Sequence, residues 1–361
     1  MHALCPYFAM FPPEFARTAI LRYTEPDDLV LDPFSGRGTT LLEAVLLRRR
    51  AIASDINPVA FCISSAKARP PSLRRILGAI DHLERGYSKL QHVPDGRTLP
   101  KFFLRAFHPN TLGQILFIRR RLKWNTKPLD RFVAALMLGQ LHGELDHSPS
   151  FFSNQMPHTI STKPAYSMRY WQEHNLRPPR RNVFQILRDK AAFRMAHGRP
   201  TGAARVVRSD ARDLSRRFRR EQGAVSAVVT SPPYLDVTSF EEDQWLRLWF
   251  LGGPPQPTWG LCSKDDRHRS EVVYWRFLVD SWRGIAPLLK RNATIACRVG
   301  SRRHSRRELE EALRRSLKEV WSRVSLVDGP VVSRLRGSRA TLMHAESTGC
   351  RFELDVAYRV S

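Results

Sequence analysis

Residues 29–44 read LVLDPFSGRGTTLLEA, and the reading of this stretch decides the fold. Its first residues are an apolar run suited to a buried parallel strand that ends at Asp32, and residues 41–47 have the composition of a helix. Between them lies a turn built on Gly36 and Gly38, where missing side chains let the backbone come close to a ligand. Strand, glycine turn and helix form the opening unit of a nucleotide-type α/β fold. A second short apolar run, residues 51–55, closes on Asp55, where such folds place a carboxylate that accepts from ribose hydroxyls.

What the turn lacks narrows the ligand. Gly36-Arg37-Gly38-Thr39-Thr40 has no Lys-Ser/Thr pair and so is not a phosphate loop. Leu41 stands where a dinucleotide fold needs a third glycine for close packing. Asp32 adds an anion at a spot that a pyrophosphate avoids and a cation favours. A ligand with a cationic amino acid head, a ribose and an adenine suits this set, and S-adenosylmethionine has all three.

The segment DPFSGRGTT, residues 32–40, resembles the first motif of the amino-group (N4-cytosine/N6-adenine) DNA methyltransferases, which use S-adenosylmethionine. Ser231-Pro232-Pro233-Tyr234, which follows the apolar run 225–230, is similar to their catalytic motif. The resemblance implies a class I methyltransferase fold: Rossmann-like α/β, with a seven-stranded, mostly parallel sheet. It also implies a cofactor site in which Gly36 and Gly38 admit the ligand, Asp32 and Thr39 face its amino acid end and Phe34 takes part in the binding. Asp55 would hold the ribose hydroxyls, Ile56 would lie against the adenine, and Asp210 would accept from the adenine amino group. Each acid has a plainer reading as well: Asp32 and Asp55 as caps of their turns, Asp210 as the cap of a turn into Arg212.

The chemistry asks for such a second motif. The amino nitrogen of cytosine or adenine is a poor nucleophile, because its lone pair is delocalised into the ring. Two acceptors aimed at its hydrogens make it more tetrahedral, and the Pro232 carbonyl and Ser231 hydroxyl are the assigned pair. Pro233 stiffens the turn, and Tyr234 stacks on a base swung out of the duplex, offsetting part of a flipping cost of a few kcal/mol. Alone, Ser-Pro-Pro-Tyr is an ordinary turn. No nucleophilic cysteine is needed, and no cysteine of this chain follows a proline.

The 361 residues carry 59 Lys plus Arg against 34 acids, a net +25 that is mostly arginine. Such a balance favours a polyanionic partner, although an arginine-rich coding bias gives the same excess. Five widely spaced cysteines make neither a disulfide framework nor a metal site, which fits a reducing cytoplasm. With no signal segment and no long apolar run, a cytoplasmic protein without a membrane partner is expected. His142 and His147 flank Glu144 without forming H-E-x-x-H, so no metal is expected.

The chain divides into three parts: 1–69 with the cofactor motifs, 70–203 as a mainly helical insertion, and 204–361 with the catalytic motif. Strands are expected at 29–32, 51–55, 204–209, 225–230, 293–299, 323–327 and 352–359, the last two as a hairpin-like pair. In the insertion, helical periodicity covers 73–90, 111–122 and 129–145; further helices are expected at 240–251, 272–289 and 306–320. Residues 151–171, mixed in aromatics, hydroxyls, amides and bases, read either as a non-periodic loop for stacking on bases and bonding to phosphates or as an ordered loop packed on the core, the first being favoured. The aromatic, proline-rich segment from Cys5 to Glu14 is similar to one that in the family precedes the glycine strand, which implies a cover for the methionine end of the cofactor; its plainer reading is a packing arm. The insertion precedes Asp210, which departs from the motif order expected of the family and leaves the target-recognition region open.

These residues lead to a DNA methyltransferase acting on N4 of cytosine, because the family's cytosine enzymes usually carry Ser where its adenine enzymes carry Asp. Adenine N6, a base amino group of RNA, and a non-catalytic DNA-binding module are the alternatives. A paired restriction endonuclease and the oligomeric state stay open.

Overall fold

The computed structural model describes residues 1–7, 11–89, 96–144, 150–156, 163–235, 240–260, 270–301, 303–334 and 352–361. Seven strands pair into one sheet: β1 (Leu29–Asp32), β2 (Arg50–Asp55), β3 (Ala204–Arg208), β4 (Val225–Thr230), β5 (Leu289–Gly300), β6 (Val324–Arg334) and β7 (Phe352–Val360). Their spatial order is β3-β2-β1-β4-β5-β7-β6. The first five neighbours run parallel, and β7 is antiparallel to both β5 and β6. Hydrophobicity follows position. All four residues of β1 are buried, whereas edge strand β3 exposes Arg205 and Arg208, charges that blunt an open edge.

Alternation along the strands sorts two cores. On one face Leu31, Val228, Ile295 and Tyr358 pack with Phe277, Leu278 and Trp282 of the Glu271–Ile285 helix and with Leu309, Leu313 and Leu317 of the Arg306–Lys318 helix. On the other, Val30, Ala227, Val229, Ala296 and Ala357 pack with Ala16 and Ile20 of the Pro13–Tyr23 helix and Leu41 and Val45 of the Thr39–Leu46 helix. Small strand residues on this second face let its helices approach closely. All the expected strands form; β5 starts earlier than expected and β6 runs further.

The chain clusters into two units. Met1–Phe8, Arg69–Arg199 and Ser239–Leu261 form one; Ala9–Ala68, Pro200–Thr238 and Cys262–Ser361 form the other, which holds the sheet. Two segments that the sequence reading keeps with the flanking parts, 1–8 and 239–261, thus group with the insertion.

The first unit is helical: Leu73–Ser88, Lys101–Ala106, Pro109–Arg121, Pro128–Leu138, Pro164–Glu173, Val183–Met195 and Trp245–Phe250. Its aromatic centre sets Phe102 at 5.0 Å from Trp245 and 5.6 Å from Trp171, and Phe103 at 4.5 Å from Trp249. At three positions of 151–171 this favours the packed reading over the base-stacking one, while Tyr166 of the same stretch is exposed. Phe151, Phe152 and Trp171 are buried, the Trp171 indole donates to the Gln155 carbonyl at 3.1 Å, and Pro164–Glu173 is helical, so these aromatics serve the core and are not presented to bases. Residues 157–162 of that stretch, His147, and residues 8–10 of the N-terminal segment lie outside the described residues. His142 is a buried histidine 2.8 Å from the Ser153 hydroxyl, and burial with the nearby Arg247 pushes its pKa down to about 3. Among the described residues no helix is long and apolar enough to cross a membrane.

Candidate active site

The site follows from the sheet. Strand order reverses between β1 and β4: β2 and β3 extend to one side and β5 to the other. In an open α/β sheet the crevice outside the carboxyl ends at such a reversal is where ligands bind. Leu31 pairs with Val228, so Asp32 and Thr230 finish their strands on one rim, and the Thr230 hydroxyl donates to Asp32 Oδ1 at 2.6 Å. The two motif turns therefore begin side by side.

The first turn is braced from several directions. Ser35 N–H donates to the Ser54 carbonyl of β2 at 2.8 Å, and the Thr40 hydroxyl to the Val229 carbonyl of β4 at 3.0 Å. Gly36 and Gly38 take φ of 47° and 75°, which disfavours a side chain at either, and a Cβ on Gly38 would also lie 2.9 Å from Ser64 Cβ, so space excludes it there as well. Buried Lys67, on the Pro58–Ala68 helix, donates from Nζ to the Arg37 carbonyl at 2.6 Å. Thr39 is buried at the start of its helix and its hydroxyl accepts from Arg37 Nε at 3.3 Å.

Three acids stand along this rim in different states. Asp32 is buried, and its Oδ1 also accepts from Phe34 N–H at 3.1 Å, while Oδ2 has no hydrogen-bond partner among the described residues. Burial raises its pKa to about 7, against the opposing bonds from Thr230 and Phe34. Asp55 accepts from Gly36 N–H at 2.8 Å and Asn57 N–H at 2.9 Å, tying β2 to the glycine turn. Asp210 caps the turn after β3: it accepts from Arg212 N–H at 3.0 Å and pairs with the Arg212 guanidinium at 2.8 Å. Phe34 and Ile56 are half-buried; the Phe34 ring is 5.8 Å from Phe277, over which Arg212 lies at 5.7 Å.

The second turn opens directly from β4. Ser231, Pro233 and Tyr234 are half-buried and Pro232 is buried. The Ser231 hydroxyl donates to Tyr234 Oη at 3.4 Å, and Tyr234 donates to Glu353 Oε1 of β7 at 3.0 Å. Cys297 of β5 pairs in register with Thr230, but it is buried and burial pushes its thiol pKa well up, which leaves a poor nucleophile.

Lys67, Phe277, Arg298 and Glu353 belong to this neighbourhood and escape sequence reading. A lysine inside the apolar helix PVAFCISSAKA is the one signal that was available. Glu353 lies 119 residues from its partner Tyr234, and only sheet pairing brings them together.

The residues present fit the ligand inferred from the turn. A buried carboxylate oxygen without a partner suits a cationic amino group, and a glycine cradle in which side chains are excluded suits close backbone approach. Sheet order and rim together define a class I methyltransferase fold, Rossmann-like and α/β.

Comparison with known proteins points the same way. Residues 4–65 match the family model described as DNA methylase. The chain is 28% identical over 76 residues to the Type II methyltransferase M.MjaII of Methanocaldococcus jannaschii, covering 21% of this chain and 14% of that protein. It is 44% identical over 52 residues to the Type II methyltransferase M.XycI of Xanthomonas campestris pv. cyanopsidis, covering 14% and 17% respectively. These matches support an amino-group DNA methyltransferase family, through less than a fifth of either relative's length. Among solved structures, TrmN from Thermus thermophilus aligns with 98% of this chain and 50% of its own, at 11% identity and a TM-score of 0.37. The rRNA methyltransferase aviRa from Streptomyces viridochromogenes aligns with 98% and 87%, at 14% identity and a TM-score of 0.35. The fold assignment rests on the strand order, not on these scores.

Proposed function

We propose that this chain is a site-specific DNA methyltransferase acting on the exocyclic N4 amino group of cytosine in a flipped base. The observation that carries the reading is the meeting of two turns of matching chemistry on adjacent strand ends, linked by the 2.6 Å bond from Thr230 to Asp32.

The roles follow from the residues. Asp32 and Thr39 hold the amino acid end of the cofactor, Phe34 and Ile56 supply apolar contact, Asp55 serves the ribose and Asp210 the adenine amino group. Asp55 accepts from the backbone amides of Gly36 and Asn57, which fixes its carboxylate at the end of β2 beside the glycine turn. Asp210 must share its carboxylate with Arg212. S-adenosylmethionine, when bound, supplies an electrophilic methyl on a sulfonium. The Pro232 carbonyl and Ser231 hydroxyl accept the two amino hydrogens and push the nitrogen lone pair out of conjugation. Pro233 stiffens the turn and Tyr234 stacks on the extruded base. Ser231, and not Asp, at the head of the turn favours cytosine N4 over adenine N6. A surplus of basic residues, giving +25, supplies the affinity for a phosphate backbone, and the helical unit is the candidate region for target recognition. A cognate restriction endonuclease is a partner consistent with the Type II relatives.

Labelled methyl transfer to duplex DNA and to structured RNA tests the substrate. Transfer to DNA, lost in Ser231→Ala and Tyr234→Ala while S-adenosylmethionine still binds, is the expected result. Transfer to RNA alone, or unchanged turnover in both variants, overturns it.

A further inference from the structure

We infer that Glu353 of β7, held by Arg298 of β5, is the positioning residue of the catalytic turn: it fixes the Tyr234 phenol and, through it, turns the lone pairs of Ser231 toward the incoming amino group. The inference rests on the reading of Ser231 to Tyr234 as the catalytic turn.

A hydroxyl has one proton and two lone pairs, so Ser231 accepts cleanly from a substrate amino group only if its own proton points elsewhere. Tyr234 Oη at 3.4 Å takes that proton, and Tyr234 in turn donates to Glu353 Oε1 at 3.0 Å. An ionised carboxylate only accepts, so a chain that ends on one runs in a single direction: serine to tyrosine to glutamate. Without Glu353 the carboxylate no longer imposes that direction, and a phenol proton turned toward Ser231 would occupy the lone pair that the substrate needs.

Glu353 is itself held in place. Its Oε2 lies 3.3 Å from Arg298 Nη1, and Arg298 is locked by a two-pronged pair with Asp355, both bonds at 2.6 Å, with its guanidinium over the Phe15 ring at 4.8 Å. In the β5–β7 ladder Arg298 faces Asp355 and Gly300 faces Glu353, so both acids point to the same side of the sheet. Because Asp355 neutralises Arg298 on its own, removing Glu353 leaves no unpaired buried cation, and its variants keep the fold.

The test places 3-fluorotyrosine at position 234 and compares Glu353→Ala with Glu353→Gln, whose amide oxygen still accepts. The fluorine resonance moves in the alanine variant and returns most of the way in the glutamine variant. Glu353→Ala lowers kcat for methyl transfer about 10- to 100-fold, the scale of a hydrogen bond to a charged group, with the KM for S-adenosylmethionine unchanged. Glu353→Gln restores most of the rate, and in a Tyr234→Phe background Glu353→Ala costs nothing further. Wild-type protein that transfers no methyl overturns the function beneath the inference and the inference with it. Wild-type protein that transfers methyl beside an indifferent Glu353→Ala, or independent losses in the double variant, overturns the inference alone.

Discussion

At the scale of single residues, Asp32 carries the clearest electrostatic signature. Its folded pKa of about 7 lies above the 3.8 of a free aspartate, so between those values the folded state holds a proton that the unfolded state has lost. Stability therefore falls as pH rises through that window and levels off above it. A cationic ligand reverses the preference and expels the proton. S-adenosylmethionine should accordingly bind more tightly near about pH 8 than near about pH 6, with proton release. Calorimetry in buffers of different ionisation heat reads both, and Asp32→Asn should abolish the proton release and the part of the pH dependence it carries. Gly38→Ala tests the cradle. With φ of 75° and Ser64 Cβ 2.9 Å from the added methyl, it should cost about 1–3 kcal/mol of stability in denaturant unfolding and most of the cofactor affinity. Both positions were legible in the sequence, because a strand-ending acid and a turn glycine declare themselves locally. Arg298 and Glu353 were not, since an arginine and a glutamate in C-terminal strands are meaningless until a ladder pairs them.

Among the elements, the Pro58–Ala68 helix does more than cover the sheet: it delivers Lys67 to the Arg37 carbonyl. Lys67→Met keeps the aliphatic stem and removes the donor. It should lower the urea midpoint by about 1–3 kcal/mol equivalent at constant m, and loosen cofactor binding in parallel. Strands were easy to read for the same reason that they pack well: β1 and β4 are almost wholly buried and show as short, mainly apolar runs, broken in β4 only by half-buried Ser226 and closed by Asp32 and Thr230. The Pro164–Glu173 helix was hidden because it buries only Ser167 and Trp171, a stripe too narrow to give apolar periodicity. Lys101–Ala106 is too short to show any.

For the molecule as a whole, charge and chain order matter most. At +25, affinity for duplex DNA should fall steeply with salt, with a slope of log affinity on log salt of about −0.9 per phosphate neutralised. Filter binding across a salt series checks it, and a flat response would deny a phosphate-tracking surface. Each compact unit is assembled from three separated stretches, an arrangement that sequence order conceals because segments such as 239–261 have no local mark of the neighbours they join. What the sequence did disclose at this scale is that two motifs, far apart in the chain, each end a buried strand; the sheet order then puts those ends together. The direct measurement is to incubate duplex DNA with the protein and methyl-labelled S-adenosylmethionine, digest to nucleosides and separate them. Label in N4-methylcytosine, absent with Ser231→Ala, is the expected result; label in N6-methyladenine would contradict the choice of base, and unlabelled DNA would contradict methyl transfer to DNA altogether.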